Sequence, residues 1–351
     1  MNILINIISL IILLVICVVV HEFGHYITAR LLGVQVHEFA LGMGPAIFKH
    51  RSKKNNMLWS IRILPLGGFC RLAGMDEDEE GEEVIPGQGF DEQPAWKRFF
   101  ILLNGSLFNV ILAVVLMGLF LWGHGVMNMD SSMIGEIMPD FPAEAAGIQA
   151  GDKILKVNGT EVSKWRETSE KIRVEALKDP EVKIEILRGE KNLSFNVNIP
   201  VSQTYGRPML GISPSYSRMG FFEAFYNSLT YTYRMSALML RGFLDLITGQ
   251  QEADVTGPVG IASMSGQAMR SGFWDFISFM AIIALNLGIL NLFPIPALDG
   301  GRLLFVLLEM IVRRRLPNKI ENWIHTAGFA VLLFLMVLIT FKDVYNIFFT
   351  H

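Results

Sequence analysis

Charge is scarce in this 351-residue chain: charged residues make up 18% of it and hydrophobic residues 51%. That balance is too apolar for an ordinary soluble domain. Long basic blocks are lacking as well, and with a formal net charge of -3 nothing in the chain points to a nucleic-acid partner. Cysteine is nearly absent. Cys17 and Cys70 are too few for a disulfide framework and are expected to be unpaired thiols. The N-terminal apolar run has neither the positively charged start nor the small-x-small site of a cleaved secretory signal, so it is expected to stay in the mature chain.

What the chain does have is apolar segments long enough to cross a bilayer. The first covers residues 2–32 and the second residues 99–122. A third begins near Phe273, is interrupted over residues 291–301 by two prolines and two glycines, and resumes to Ile311. The last covers residues 324–339. Between the second and third, residues 129–204 have the character of a soluble domain. Alternation over 183–187 and 193–197 predicts half-buried strands, with a turn at Gly189 and a helix near 162–177. Residues 221–246 are apolar but carry Glu223, Arg234, Arg241 and Asp245, a pattern that predicts an amphipathic helix on the membrane or on that domain. The expected division is therefore 1–127, 128–205, 206–270 as amphipathic helix and linker, and 271–351. The acidic run over residues 76–80 reads as a solvated loop.

Four spans place both termini on one side. Lys and Arg are abundant after the first and third spans and absent before the first, so the positive-inside rule puts both termini and the inserted domain outside. The end of the first span then lies near the inner face.

There the sequence reads His21-Glu22-Phe23-Gly24-His25. HExxH on a helix sets two imidazoles one turn apart on one face, able to share a zinc ion, with a glutamate beside them as a base. Such a match can arise by chance on a surface helix, but ionisable groups at membrane depth are costly and need a reason. A third ligand is required, and Asp299, in the broken third span, is the candidate. Alternatively, Asp299 caps the helix that begins at Gly300. Non-helical backbone at this depth is tolerated only where it is buried in protein or lines a cavity.

Taken together, HEFGH in the first span and NLFPIPALDGG over residues 291–301 resemble the two signature motifs of the site-2 protease family of intramembrane zinc proteases. Further matches are the turn at Gly42-Met43-Gly44-Pro45, Pro65-Leu66-Gly67-Gly68-Phe69, Gly105 with Asn109, and Gly257-Pro258-Val259-Gly260-Ile261. They run through nearly the whole chain. The branch most resembled is bacterial, carries a PDZ domain and processes anti-sigma factors and remnant signal peptides. Residues 142–159, PAEAAGIQAGDKILKVNG, resemble a PDZ run. Some members of the branch carry two PDZ domains, and one is found here.

The resemblance implies a polytopic α-helical membrane protein with four transmembrane helices, a broken third span, a membrane-dipping β-hairpin and one inserted α+β PDZ domain. It implies zinc as cofactor, His21, His25 and Asp299 as its ligands, and Glu22 as general base in peptide hydrolysis. The implied substrates are single-span membrane proteins in the bilayer of a bacterial inner membrane. A helical substrate must unwind to be cut, and an extended segment gains partners at a strand edge. The stretch Ser60 to Leu72 is similar to the family's hairpin, so Ile61, Ile63, Leu64, Gly67 and Gly68 are expected to contact substrate; an ordinary cytoplasmic hairpin is the other reading. Asn291 could bond substrate backbone or an oxyanion, or satisfy carbonyls freed by Pro294 and Pro296. Asn109 is expected to tie the second span to the third, whereas His37, His50, His124, His325 and His351 have no partner spacing and no expected role. Two competing readings are a metal transporter and a membrane-anchored binding module. Inverted repeats are not apparent, and an inert anchor leaves both motifs unexplained.

Overall fold

A computed structural model of the chain describes residues 2–53, 56–75, 84–202, 206–249, 256–315 and 317–349. The acidic run at 76–80 lies outside the described residues. The chain divides into two compact units, one of Met1–Phe120 with Phe222–His351 and one of Leu121–Phe221. Among the described residues, four helices are long and apolar enough to cross a membrane: Ile3–Leu32, Ala95–Gly123, Phe273–Leu290 and Lys319–Asp343.

The first unit opens with α1 (Asn2–Leu32), which ends where Gly33 takes a left-handed conformation. Two long strands follow, β1 (Val36–Arg51) and β2 (Leu58–Leu72), and then α2 (Ala95–Gly123). The pairing departs from the hairpin expected at 60–72. That stretch does not pair with itself. Residues 38–41 lie between its two arms, against 58–61 on one side and 68–71 on the other, while 46–51 extend the sheet beyond 58–62. Glu38, buried at 1% exposure, holds the arrangement together: Arg62 reaches it from one arm at 2.8 Å and Arg71 from the other at 3.3 Å, with the Ser60 hydroxyl donating as well. A buried carboxylate needs such partners. Met43, Ile47, Phe48, Ile61, Ile63 and Leu64 remain exposed on this sheet.

The second unit contains β3 (Val126–Met127), β4 (Ile134–Ile137), α3 (Pro142–Ala145), β5 (Lys153–Val157), β6 (Thr160–Glu161), α4 (Trp165–Lys178), β7 (Glu181–Arg188), β8 (Lys191–Asn198), β9 (Ile212–Pro214) and β10 (Tyr216–Ser217). An antiparallel sheet in the order β6-β5-β7-β8 carries the predicted alternation: Val182, Ile184 and Ile186 of β7 are fully buried and pack with Ile154, Val157, Trp165 and Ile172. Asp152, in the Gly-Asp pair of the 142–159 run, is buried and accepts two bonds of 2.8 Å from Arg188 and one of 2.8 Å from the Gln149 N–H. This unit is wider than 128–205. β9 pairs with β4 and β10 with β3, so residues after 205 supply strands rather than a linker.

Five helices then return to the first unit. In α5 (Phe221–Ile247), Ala224, Ser228 and Thr232 form a buried stripe at i, i+4 and i+8. Tyr231, Thr232 and Met235 share a small gap with Ala113 and Met117 of α2 and with Ala281, Ile282 and Leu285 further on, so α5 packs among the apolar helices, where small side chains permit close approach. α6 (Pro258–Ser271), in the stretch where a linker is expected, is a helix against α1, with Ser265 and Gly266 buried and Arg270 bonded to Asn6 at 2.8 Å. Its start is the GPVGI motif, where the Gly257 and Gly260 N–H groups donate to the Asp343 carboxylate at 3.3 and 2.9 Å, satisfying donors a helix start leaves open. The third apolar segment is two helices, α7 (Phe273–Leu290) and α8 (Asp299–Val312), separated by residues 291–298. α8 has 14 residues, about 21 Å at 1.5 Å per residue, and does not span by itself. α9 (Asn318–Phe349) completes the unit.

Candidate metal centre

α1 presents His21 and His25 on one face, both buried, with ring centroids 4.8 Å apart. α2 fits tightly against that face because glycines meet it. A Cβ on Gly105 would overlap the His25 ring, and one on Gly24 would overlap the Asn104 carbonyl. The His25 Nδ1–H donates to the Ile101 carbonyl at 2.9 Å, which leaves Nε2 with a free lone pair facing inward.

Asp299 arrives from the interruption between α7 and α8. Gly300 N–H donates back to the Asn291 carbonyl at 2.7 Å and Gly301 N–H to Leu298 at 3.1 Å, so the loop closes on itself. Asp299 is the first residue of α8, where Leu298 is the N-cap and no side chain caps the helix; the capping alternative for Asp299 is therefore excluded. Its Oδ2 lies 2.9 Å from His21 Nε2 and 3.2 Å from His25 Nε2, and the two Nε2 atoms are 3.2 Å apart. Among the described residues this is the group of three His, Cys, Asp or Glu side chains able to share a metal ion. The fit to zinc is good. Bonds of about 2.0–2.1 Å in a tetrahedron place neighbouring donors about 3.3 Å apart, and three lone-pair donors converging in a buried site call for a cation between them.

Beside this group, Glu22 Oε2 accepts a bond of 2.9 Å from the Cys70 N–H of β2. Glu22, the three donors, Phe69, Cys70, Arg302 and His325 line one cavity of about 400 Å³. The other residues expected to contact substrate do not line it. Gly68 comes nearest: a Cβ there would overlap the Ala40 carbonyl at 2.8 Å and stand 3.3 Å from Val18 and 3.8 Å from the Glu22 side chain. Ile61, Ile63 and Leu64 are exposed on the sheet, and Gly67 turns at φ 89° against Met43. Asn291 contributes its carbonyl to the loop closure, and its side chain is not part of the cavity wall. Asn109 is buried at the α2–α7 contact, its Cβ 3.3 Å from where a Gly288 Cβ would stand, and its Oδ1 has no hydrogen-bond partner among the described residues, so the contact there is one of packing. His325 is the residue that spacing missed. Its signal was its presence in an apolar span, where an imidazole is costly.

Two imidazoles and a carboxylate converging beside a second carboxylate, among apolar helices, define a metal-dependent hydrolase set in a membrane. Comparison with known proteins names the family. The model of peptidase family M50 matches residues 9–335. A relative from Campylobacter jejuni is 34% identical over 93% of this chain and 90% of its own. The zinc metalloprotease RasP of Geobacillus kaustophilus is 31% identical over 98% of both chains, and the regulator of sigma-W protease RasP of Bacillus subtilis is 29% identical over 93% of this chain and 95% of its own. A solved PDZ domain of an SdrC-like protein from Listeria monocytogenes is 26% identical over 24% of this chain and 87% of its own, with a TM-score of 0.21, too low to carry a statement about fold. The chain belongs to peptidase family M50, the site-2 proteases. It is a zinc metalloendopeptidase.

Proposed function

We propose that this enzyme cuts single-span membrane proteins within the bilayer, with His21, His25 and Asp299 holding zinc and Glu22 acting as general base. The observation that carries this reading is the convergence of the three donor atoms within 3.2 Å of one another, next to Glu22 and among helices apolar enough to span. Bound zinc supplies Lewis acidity, which makes water acidic near neutral pH and polarises a carbonyl. Glu22, oriented by the Cys70 N–H, takes the proton of the attacking water and returns it to the leaving amine. His25 is kept in its ligating tautomer by Ile101.

A substrate helix must unwind to reach this cavity, and Phe69 and Cys70, where β2 enters the cavity wall, are the backbone beside which an extended segment would lie. We read the second unit as a PDZ domain. Its cavity of about 530 Å³, lined by α4 and residues 207–212, is large enough to receive part of an extended chain. By the distribution of Lys and Arg, both termini and this unit are extracytoplasmic and the metal centre is near the cytoplasmic face. The PDZ unit then acts as a gate that rejects substrates whose outer domains have not been trimmed. The substrates are an anti-sigma factor, in keeping with the sigma-W protease of Bacillus subtilis, or remnant signal peptides.

Glu22→Gln tests the chemistry. Cleavage of a single-span substrate in detergent should fall by about 10²–10⁴-fold while zinc stays bound. Cleavage at the wild-type rate in that variant sinks the assignment of Glu22.

A further inference from the structure

We propose that His325 is a positioning residue that holds Asp299 in register with the two histidines. This rests on the reading of His21, His25 and Asp299 as the metal ligands.

His325 lies in α9, buried at 8% exposure and in the wall of the catalytic cavity. Its Nδ1 accepts the N–H of Ala297 at 3.0 Å. Ala297 stands two residues before Asp299 and has φ 78°, a left-handed conformation that an L-residue with a Cβ resists. The same imidazole reaches the other side of the ligand: a Cβ on Gly301 would stand 3.2 Å from its Cε1, and Phe305 meets the ring edge-on at 5.8 Å. Gly328, three residues further along α9, is pressed against Pro296. One face of α9 therefore grips the chain before and after Asp299.

The physical need is plain. Ala297 belongs to a non-helical segment between two apolar helices, where an N–H without a partner is expensive. Its strained φ persists only if neighbours hold it. Release of the N–H lets Ala297 return to negative φ, which turns the chain two residues upstream of the carboxylate. The donor atoms sit 2.9–3.2 Å apart, so a small rotation there loosens the third ligand. His325 acts through Ala297 and does not itself need to touch substrate.

The test uses the full chain in detergent and compares His325→Ala, His325→Gln and the double variant His325→Ala with Ala297→Gly. The readouts are zinc affinity by chelator competition and the visible absorption of the cobalt(II)-substituted protein. His325→Ala should lose about tenfold or more in zinc affinity and alter the cobalt spectrum. His325→Gln, which keeps an acceptor, should stay close to wild type. Ala297→Gly should restore part of the loss, because glycine takes positive φ without strain. Wild-type affinity and spectrum in His325→Ala overturn the proposal. So does a glutamine variant as impaired as the alanine one with no recovery from Ala297→Gly, which marks general packing instead. A wild-type protein that binds no zinc overturns the underlying ligand assignment, a separate outcome.

Discussion

The two units treat polar side chains in opposite ways. In Leu121–Phe221 the core is apolar and the buried Ser132, Thr168 and Asp152 are matched close by: Ser132 donates to the Ile154 carbonyl at 2.6 Å, Thr168 to the Lys164 carbonyl at 2.8 Å, and Asp152 holds Arg188. In the other unit, large apolar residues such as Phe329, Phe334 and Leu335 of α9 are exposed, while His21, His25, Asn109, Ser106 and His325 are buried. The reason is the solvent. In water, burial of apolar surface drives the fold and polar groups need only be satisfied. In lipid, apolar contact gives little preference between protein and tails, so close packing of small residues and rare polar groups decide the arrangement. The buried polar residues named in the second unit are structural, whereas in the apolar helices of the first they either line the metal centre, as His21, His25 and His325 do, or pack between helices, as Asn109 does.

Five experiments break or sharpen this contrast. Asp299→Asn should abolish both zinc binding and cleavage, yet leave hydrogen exchange in β5, β7 and β8 unchanged; collapse of that protection would show that the two units are not independent. Gly105→Ala should displace the His25 ring and lower zinc affinity about tenfold or more, measured by chelator competition. In the second unit, Asp152→Ala should weaken exchange protection of β5 and β7 by about 2 kcal/mol with zinc affinity unaltered, since Arg188 is partly exposed and its pairing is screened.

That pair also sets a pH dependence. Burial alone would raise the Asp152 carboxyl, but the bonds from Arg188 and Gln149 outweigh it and hold the group below the usual carboxylate range. A depressed folded-state pKa stabilises above the unfolded value of about 3.9, and the contribution is lost as pH falls through the folded value. Exchange protection of the unit should thus drop below about pH 4, and Asp152→Asn should remove that component. The smallest effect is expected at Glu175, which Lys178, Asn158 and Lys171 lower to about 2 on the surface of α4. Glu175→Gln should leave thermal unfolding of the protein unchanged within error.

Much of this was legible along the chain. The limits of α1, the interruption between α7 and α8, and the alternation of β7 and β8 are local patterns, and local patterns survive in sequence. HExxH is equally local, because a helix converts a spacing of four into one face. The relation of Asp299 to His21 is not local; it came from the cost of a carboxylate in a broken apolar segment and from family resemblance. Other features had no sequence signal strong enough. Residues 38–41 enter between the arms of 60–72 because Glu38 needs both Arg62 and Arg71. Residues 212–217 complete the second unit because β4 and β3 need partners. Gly105 is a motif glycine whose purpose is visible only against the His25 ring.

By itself, the sequence determined which segments are apolar, where α1 ends and the third apolar segment breaks, and which side chains could do chemistry, since these follow from spacing, hydropathy and backbone preference. Only the tertiary structure decided which of those side chains meet. It brought Asp299 to His21 and His25 across more than 270 residues, set Cys70 N–H on Glu22, and placed His325 beside a strained alanine that spacing could not connect to it. The physical reason is that the contacts that assemble the centre join α1, α2, β2, α8 and α9. Close approach between such distant elements depends on glycines and single hydrogen bonds whose partners lie far away in the chain.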